Sequence, residues 1–137
     1  MSVPVVDIES IDFLALDESG VVDYAIDAVR EGRGLRLLTV NVDILQSLKR
    51  SPAYREVVGD DYEAVADGMP IVWASRLMGT PLPGRVTGAD LIVSLTAAAA
   101  SAGMRVLLLG GDGGSAEAAR RELVRRGAAA EQLAAIE

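Results

Sequence analysis

Three short segments carry side chains whose types and spacing suggest chemistry. Asp67 lies in an Asp-Gly turn directly after an apolar run, and Thr39 and Asn41 stand at the end of another apolar run. Arg85 follows a proline- and glycine-containing loop. A carboxylate can act as a general base, and a guanidinium can hold a diphosphate through paired hydrogen bonds. Because open α/β sheets bind ligands at the carboxyl ends of their strands, Asp67 is predicted to lie at such an edge.

Each of these residues also has an ordinary structural explanation. Asp67 can be a turn or cap residue whose side chain accepts backbone N–H groups, and Asn41 can cap the helix that follows it. Thr39 suits a β-strand, and Arg85 suits a surface loop. On local pattern alone the structural explanation of Asp67 is the favoured one, and both remain open.

The elements that must position these residues alternate between strand and helix patterns. We predict strands within 3–16, at 35–40, ending at 66 and at 104–109, and helices at about 18–31, 41–51, 70–79, 88–102 and 116–126. This order predicts an α/β fold with a Rossmann-like, mostly parallel sheet flanked by helices, and residues 1–137 as a single domain. The two continuously apolar strands, 35–40 and 104–109, are expected to pair in one parallel sheet. Residues 128–137 present no strong core face.

The fourth chemical feature is the glycine-rich turn at residues 110–115, between a predicted strand and a predicted helix. Backbone N–H groups of such a turn can face an anion. The pattern matches neither common nucleotide-binding glycine motif, so it is weak evidence by itself. Asp60, Asp61 and Glu63 cluster without the loop pattern of a cation site, and we interpret them as a solvated acidic face. No metal is predicted.

Composition narrows the class of function. The net charge is −7, which argues against broad binding to nucleic acid or to an anionic membrane. The basic cluster of the last predicted helix is interpreted mainly as helix-stabilising, through Glu117–Arg121 and Glu122–Arg126 at i,i+4 spacing, and a polymer-binding patch is the less favoured alternative. Its members are Arg120, Arg121, Arg125 and Arg126. The chain has no Cys and no His, so any proton transfer must use Asp, Glu, Lys or Tyr. We find no signal peptide and no apolar run long enough to span a membrane, and expect a cytoplasmic protein.

Residues 67–91, D-G-M-P-I-V-W-A-S-R-L-M-G-T-P-L-P-G-R-V-T-G-A-D-L, resemble the signature block of the WecG/TagA/CpsF glycosyltransferases. The resemblance extends upstream to Thr39-Val40-Asn41 and downstream to the Leu-Leu-Leu-Gly-Gly segment that ends at Gly111. It covers most of the chain from about residue 35 to residue 120. The motifs occur in the family's order and spacing, and together they are fairly specific.

The resemblance implies an inverting transfer of N-acetylmannosamine, or a related sugar, from a UDP-sugar to a polyprenyl-diphosphate-linked sugar acceptor. Such reactions build bacterial surface polysaccharide and teichoic-acid-type polymers of the cell wall. Asp67 would be the base, with no cofactor required. The implied substrate-binding residues, to which we add Arg85 on electrostatic grounds, are Thr39, Asn41, Arg85, Thr87, Gly88, Gly110 and Gly111. Thr87 is also expected to cap the next helix, with Asp90 at its third position.

The resembled enzymes extend well beyond the equivalent of Glu137 and carry a basic C-terminal appendage that meets the membrane. We therefore expect this chain to lack that part, and expect contact with the inner face of the cell membrane only through it. The alternative is a catalytically incomplete module that binds a nucleotide sugar or serves assembly. A plain scaffold is a further alternative. The oligomeric state stays open, with a homo-oligomer among the options.

Overall fold

The computed structural model describes residues 2–137. The strands are β1 (Val5–Ile8), β2 (Ile11–Leu14), β3 (Leu37–Val40), β4 (Glu63–Ala66), β5 (Val106–Leu109) and β6 (Leu133–Ile136). The helices are α1 (Glu18–Arg30), α2 (Val42–Arg50), α3 (Pro52–Val58), α4 (Met69–Leu77), α5 (Gly88–Ser101) and α6 (Ser115–Arg125), with a short 3₁₀ helix at Ala130–Gln132. The chain divides into two compact units, one ending at Asp90 and one covering Leu91–Glu137.

The first unit is built on a four-stranded sheet in the order β1-β2-β4-β3. The β1–β2 hairpin is antiparallel, whereas β4 lies parallel to both β2 and β3. Parallel neighbours require crossover connections, and helices supply them here. The predicted α/β class, a mostly parallel Rossmann-like sheet flanked by helices, is confirmed.

One core cluster of the first unit lies between one face of this sheet and two helices, α2 and α4. Phe13 and Val40 belong to this cluster on the side of the sheet. Leu48 of α2 and Ile71 of α4 pack against them from the helices. On β4 the same cluster uses Ala64 and Ala66, both buried. Small side chains there leave room for the larger residues of the covering helices to pack against the sheet.

The second unit contains a two-stranded parallel sheet of β5 and β6, packed against α6. Its core joins Leu108 of β5, Leu133 of β6, and Ala116 and Leu123 of α6. The expectation that residues 128–137 lack a core face was wrong, because Leu133 is buried and β6 pairs with β5 along its whole length.

The predicted pairing of the strands around 35–40 and 104–109 in one sheet was also wrong. Among residues 2–137, β3 pairs with β4 and β5 pairs with β6, in separate sheets. The apolar run of β5 suggested a strand buried on both faces, yet its side chains alternate. Leu108 is buried, whereas Leu107 and Leu109 are 55% and 76% exposed.

The basic cluster of α6 pairs with acidic residues of the same helix. Arg120 binds Glu117 through two hydrogen bonds of 2.9 Å. The carboxylate of Glu122 accepts hydrogen bonds from Arg125 and Arg126. These bonds, of which the one from Arg125 has the larger effect, lower the pKa of Glu122 to about 2. Glu122 pairs with Arg126 as expected, whereas the hydrogen-bonded partner of Glu117 is Arg120 and not the expected Arg121. The helix-stabilising role of these arginines stays a prediction. No helix formed by residues 2–137 has both the length and the apolar character needed to cross a membrane.

A buried serine fixes the loop that leads to Arg85. The Ser75 hydroxyl donates to the Val72 carbonyl at 2.6 Å and accepts the Leu82 amide at 2.9 Å. Ser75 is fully buried and Leu82 is 3% exposed, so water does not reach this donor. The last turn of α4 therefore holds the proline-containing loop 80–84 against the first unit.

We expect Ser75→Ala to lower the free energy of unfolding by about 1–3 kcal/mol, because the Leu82 amide loses its partner in a buried place. Urea denaturation followed by circular dichroism measures this. Ser101→Ala is the matched control, since that exposed hydroxyl also donates to a carbonyl of its own helix. An equal loss of stability in both variants would contradict the role of the Ser75 hydroxyl in holding the loop 80–84.

Candidate functional site

The parallel pairing of β3 with β4 brings Asn41 and Asp67 to one edge of the sheet. Thr39 lies opposite Val65 in this register, and each strand ends at the next residue. The Asp67 amide then donates to the Val40 carbonyl at 2.9 Å, which continues the ladder past the strand end. The prediction that these polar residues follow strands at a shared carboxyl edge agrees with the structure.

Asp67 ties the end of β4 to the beginning of α5. Its Oδ2 accepts a hydrogen bond from the Gly88 amide at 3.2 Å, in a partly buried place. The N-cap of α4 is Gly68, at φ 138°, and this helix has no side-chain cap. Asp67 therefore links two segments that are 21 positions apart in the sequence, whereas the structural explanation expected a local turn or cap. Within residues 2–137 its carboxylate makes no other hydrogen bond, so Oδ1 has no partner among the described residues.

Thr39 and Gly88 meet beside this carboxylate. A Cβ atom added to Gly88 would lie 3.3 Å from Thr39 Oγ1, closer than most real contacts of that kind. The absence of a side chain at Gly88 therefore lets the start of α5 approach both the Thr39 hydroxyl and Asp67. Three of the residues predicted for the site come together here.

The segment before α5 runs beside the end of β4. The buried Val86 donates its amide to the Ala66 carbonyl at 2.7 Å. Arg85 precedes Val86 and is exposed, and no hydrogen bond or ion pair engages its side chain in the described part of the chain. The Val86 hydrogen bond fixes the backbone of the segment that carries Arg85 and leads to Gly88, while the Arg85 guanidinium itself is exposed.

Two caps set the starts of the helices at this edge. Asn41 Oδ1 accepts the Ile44 amide at 2.9 Å and caps α2. Thr87 Oγ1 accepts the Asp90 amide at 3.1 Å and donates to Asp90 Oδ2 at 2.8 Å. Both predicted caps are confirmed, and the substrate-binding roles of Asn41 and Thr87 stay predictions.

The two remaining predicted residues, Gly110 and Gly111, belong to the second unit. Both have positive φ, 94° and 96°, and Gly110 donates its amide to the Ile136 carbonyl at 2.8 Å. A Cβ atom on Gly111 would overlap the Ser115 side chain, and a φ of 96° is one that other residues rarely adopt, so glycine is favoured there. The turn ends at Gly114, which precedes α6 without a side-chain cap. Its role in binding a diphosphate stays a prediction.

A polar recess of about 350 Å³ in the first unit lies elsewhere. Its lining includes the charged residues Glu9, Lys49 and Arg55. Ile11 and Tyr62 also line it, at the amino ends of β2 and β4. This recess therefore occupies the edge opposite Asp67 and contains none of the predicted site residues. Ligands of open α/β sheets bind at the carboxyl edge, which favours the Asp67 side.

The order of the motifs agrees with a comparison to protein families. The sequence model described as the Glycosyl transferase WecG/TagA/CpsF family matches residues 6–133. The chain belongs to this family.

A curated relative from Bacillus spizizenii (strain ATCC 23059 / NRRL B-14472 / W23) is named N-acetylglucosaminyldiphosphoundecaprenol N-acetyl-beta-D-mannosaminyltransferase. It is 32% identical over 76 residues, which are 56% of this family member and 30% of the relative. The match thus spans less than one third of the relative's length.

We expect Thr87→Ala to lower the free energy of unfolding by about 0.5–2 kcal/mol, because the Asp90 amide loses its cap. Thr87→Ser keeps the hydroxyl and should retain most of the stability. Thermal melts of both variants, with the exposed loop variant Thr80→Ala as a control, measure this. Equal melting temperatures for Thr87→Ala and Thr87→Ser would contradict the role of the hydroxyl.

Proposed function

We propose that this family member is a glycosyltransferase that moves N-acetylmannosamine or a related sugar from a UDP-sugar to a polyprenyl-diphosphate-linked sugar acceptor. The reaction would serve the synthesis of bacterial surface polysaccharide or of teichoic-acid-type polymers. The observation that carries the proposal is the Asp67 carboxylate at the carboxyl edge of parallel strands, held by Gly88 beside Thr39. Family membership and the name of the relative support the substrate classes.

In the proposed mechanism, Asp67 takes the proton from the acceptor hydroxyl as that oxygen attacks the anomeric carbon of the donor sugar. The bond between this carbon and the diphosphate oxygen breaks, and UDP leaves with the bonding electrons. Attack opposite the leaving group inverts the anomeric configuration. Oδ2 of Asp67 stays with the Gly88 amide, so Oδ1 is the oxygen that receives the proton.

The neighbouring residues would position the two substrates. Thr39 and Asn41 would hold sugar hydroxyl or amide groups, because they carry short polar side chains next to Asp67 at the same edge. The exposed guanidinium of Arg85 would bind the diphosphate and stabilise the charge that builds up on the leaving group. The acceptor would be met at the inner face of the cell membrane, and a cytoplasmic location stays a prediction.

The second candidate is a module that binds a nucleotide sugar, or serves assembly, without turnover. The hydrogen bond between the Asp67 carboxylate and the Gly88 amide favours this alternative, because it gives Asp67 a structural role that needs no turnover. Binding of UDP-sugar without any sugar transfer by the native full-length protein would support the module and exclude the transferase.

We expect Asp67→Asn to lower the rate of sugar transfer by about 10²–10⁴-fold, the usual loss for a general base. The melting temperature and UDP affinity should stay close to those of the parent, because an amide oxygen can still accept the Gly88 N–H. Transfer is measured in the native full-length protein with UDP-N-acetylmannosamine and a lipid-linked acceptor. Asp23→Asn, on the exposed surface of α1, is the matched control. Transfer by Asp67→Asn at the parent rate would reduce Asp67 to a structural residue.

We expect Arg85→Ala to weaken UDP binding by at least roughly tenfold, since a hydrogen bond to a charged group contributes about 1.5–3 kcal/mol. Isothermal titration calorimetry with UDP measures the dissociation constant. Arg76→Ala removes an exposed arginine from the end of α4 and should leave the affinity unchanged. Equal affinities for the two variants would remove Arg85 from the site.

A further inference from the structure

An apolar groove in the first unit lies between α2 and α4. Val42 and Leu45 line it from α2, and Pro70, Ala74 and Met78 line it from α4 and its C-cap. Ile8 of β1 also contributes to the lining, and the volume is about 270 Å³. We refer to this feature as the α2–α4 groove.

The α2–α4 groove begins at the edge of the sheet that carries the candidate site. Val42 directly follows Asn41, and Pro70 is the third residue after Asp67. Both helices start at that edge and run back across the sheet, so Met78 lies farther from the edge than Pro70. The groove therefore leads away from the proposed reacting groups.

The charge and polarity of the lining residues indicate which kind of ligand the groove can bind. Glu9 is the single charged residue of the lining, and it lies in the turn between β1 and β2. The groove thus offers no cation to a phosphate group. Val42 and Met78 are 40% and 55% exposed, and Leu77 next to Met78 is 90% exposed. Apolar surface of this kind that borders a polar site is typical of binding sites for apolar ligand groups.

We propose that the α2–α4 groove binds the isoprenoid chain of the acceptor, in the part next to its diphosphate. This inference rests on the proposed function, in which a sugar diphosphate reacts at Asp67 while its apolar chain must leave the polar edge. The groove supplies an apolar path that starts beside Asn41 and Asp67. A flat partner surface fits these observations less well, because the feature is a recess between two helices.

The probe for this proposal is farnesyl diphosphate, titrated into the complete chain. Trp73 is the only tryptophan of the protein and lies on α4, so its fluorescence reports binding next to the groove. Inorganic diphosphate is the reference probe, because it carries the same charge without the apolar chain. We expect farnesyl diphosphate to bind more tightly than inorganic diphosphate and to change the Trp73 emission.

Two substitutions test the location. Ala74→Phe fills the groove with a larger side chain. Met78→Glu places a charge in the groove, and because Met78 is exposed, this substitution should not unfold the protein. Each should weaken farnesyl diphosphate binding by at least roughly tenfold, as expected for the loss of buried apolar contact. Ala118→Phe on exposed α6 and Val57→Glu on α3, where Val57 is 85% exposed, are the matched controls and should bind like the parent.

Equal farnesyl diphosphate affinity in the parent, groove and control variants would overturn the proposal, as would a parent that binds inorganic diphosphate equally well. Self-association of the parent that Met78→Glu abolishes, without an effect on the prenyl probe, would assign the groove to a second copy of the chain. A groove-dependent prenyl affinity together with absent UDP binding would preserve the groove and refute the transferase. UDP binding without a groove effect would do the reverse.

Discussion

The parallel hydrogen-bond ladder between β3 and β4 is the constraint on which the candidate site depends. It sets the register in which Val40 lies opposite Ala66, so that the residues after both strands emerge at one edge. The Asp67 amide extends the ladder by bonding to the Val40 carbonyl. A shift of one residue would turn each side chain to the other face of the sheet and separate Thr39 from Gly88.

The parts of the site that depend on local chemistry could be predicted from the sequence. Asn41 and Thr87 cap their helices through amides three residues ahead, and Ser51-Pro52 ends α2. The tie between Asp67 and Gly88 could not be predicted, because it joins residues 21 positions apart. No local pattern encodes which donor a carboxylate finds across such a distance.

The pairing of strands also could not be predicted from local patterns, because it depends on contacts between residues that are far apart in the sequence. The apolar run of β5 predicted a strand, but its partner is selected by packing of Leu108 and Leu133 with α6. Residues 128–137 misled local reasoning, because alanine favours helices and is depleted in strands, yet Ala134 and Ala135 lie in β6. The fold class followed from the alternation of elements, whereas the assignment of strands to sheets required the three-dimensional contacts.

The structural and the catalytic interpretation of Asp67 are compatible. A general base must hold its accepting oxygen in a fixed direction, and a carboxylate that is free to rotate does so poorly. The Gly88 amide fixes Oδ2, and Gly88 itself is held because Thr87 caps α5 and Val86 bonds to the end of β4. The structural tie therefore orients Oδ1. In the proposed mechanism, loss of this tie would displace the carboxylate even with its charge retained, so the proposed transfer depends on the rigidity of the segment that carries Gly88.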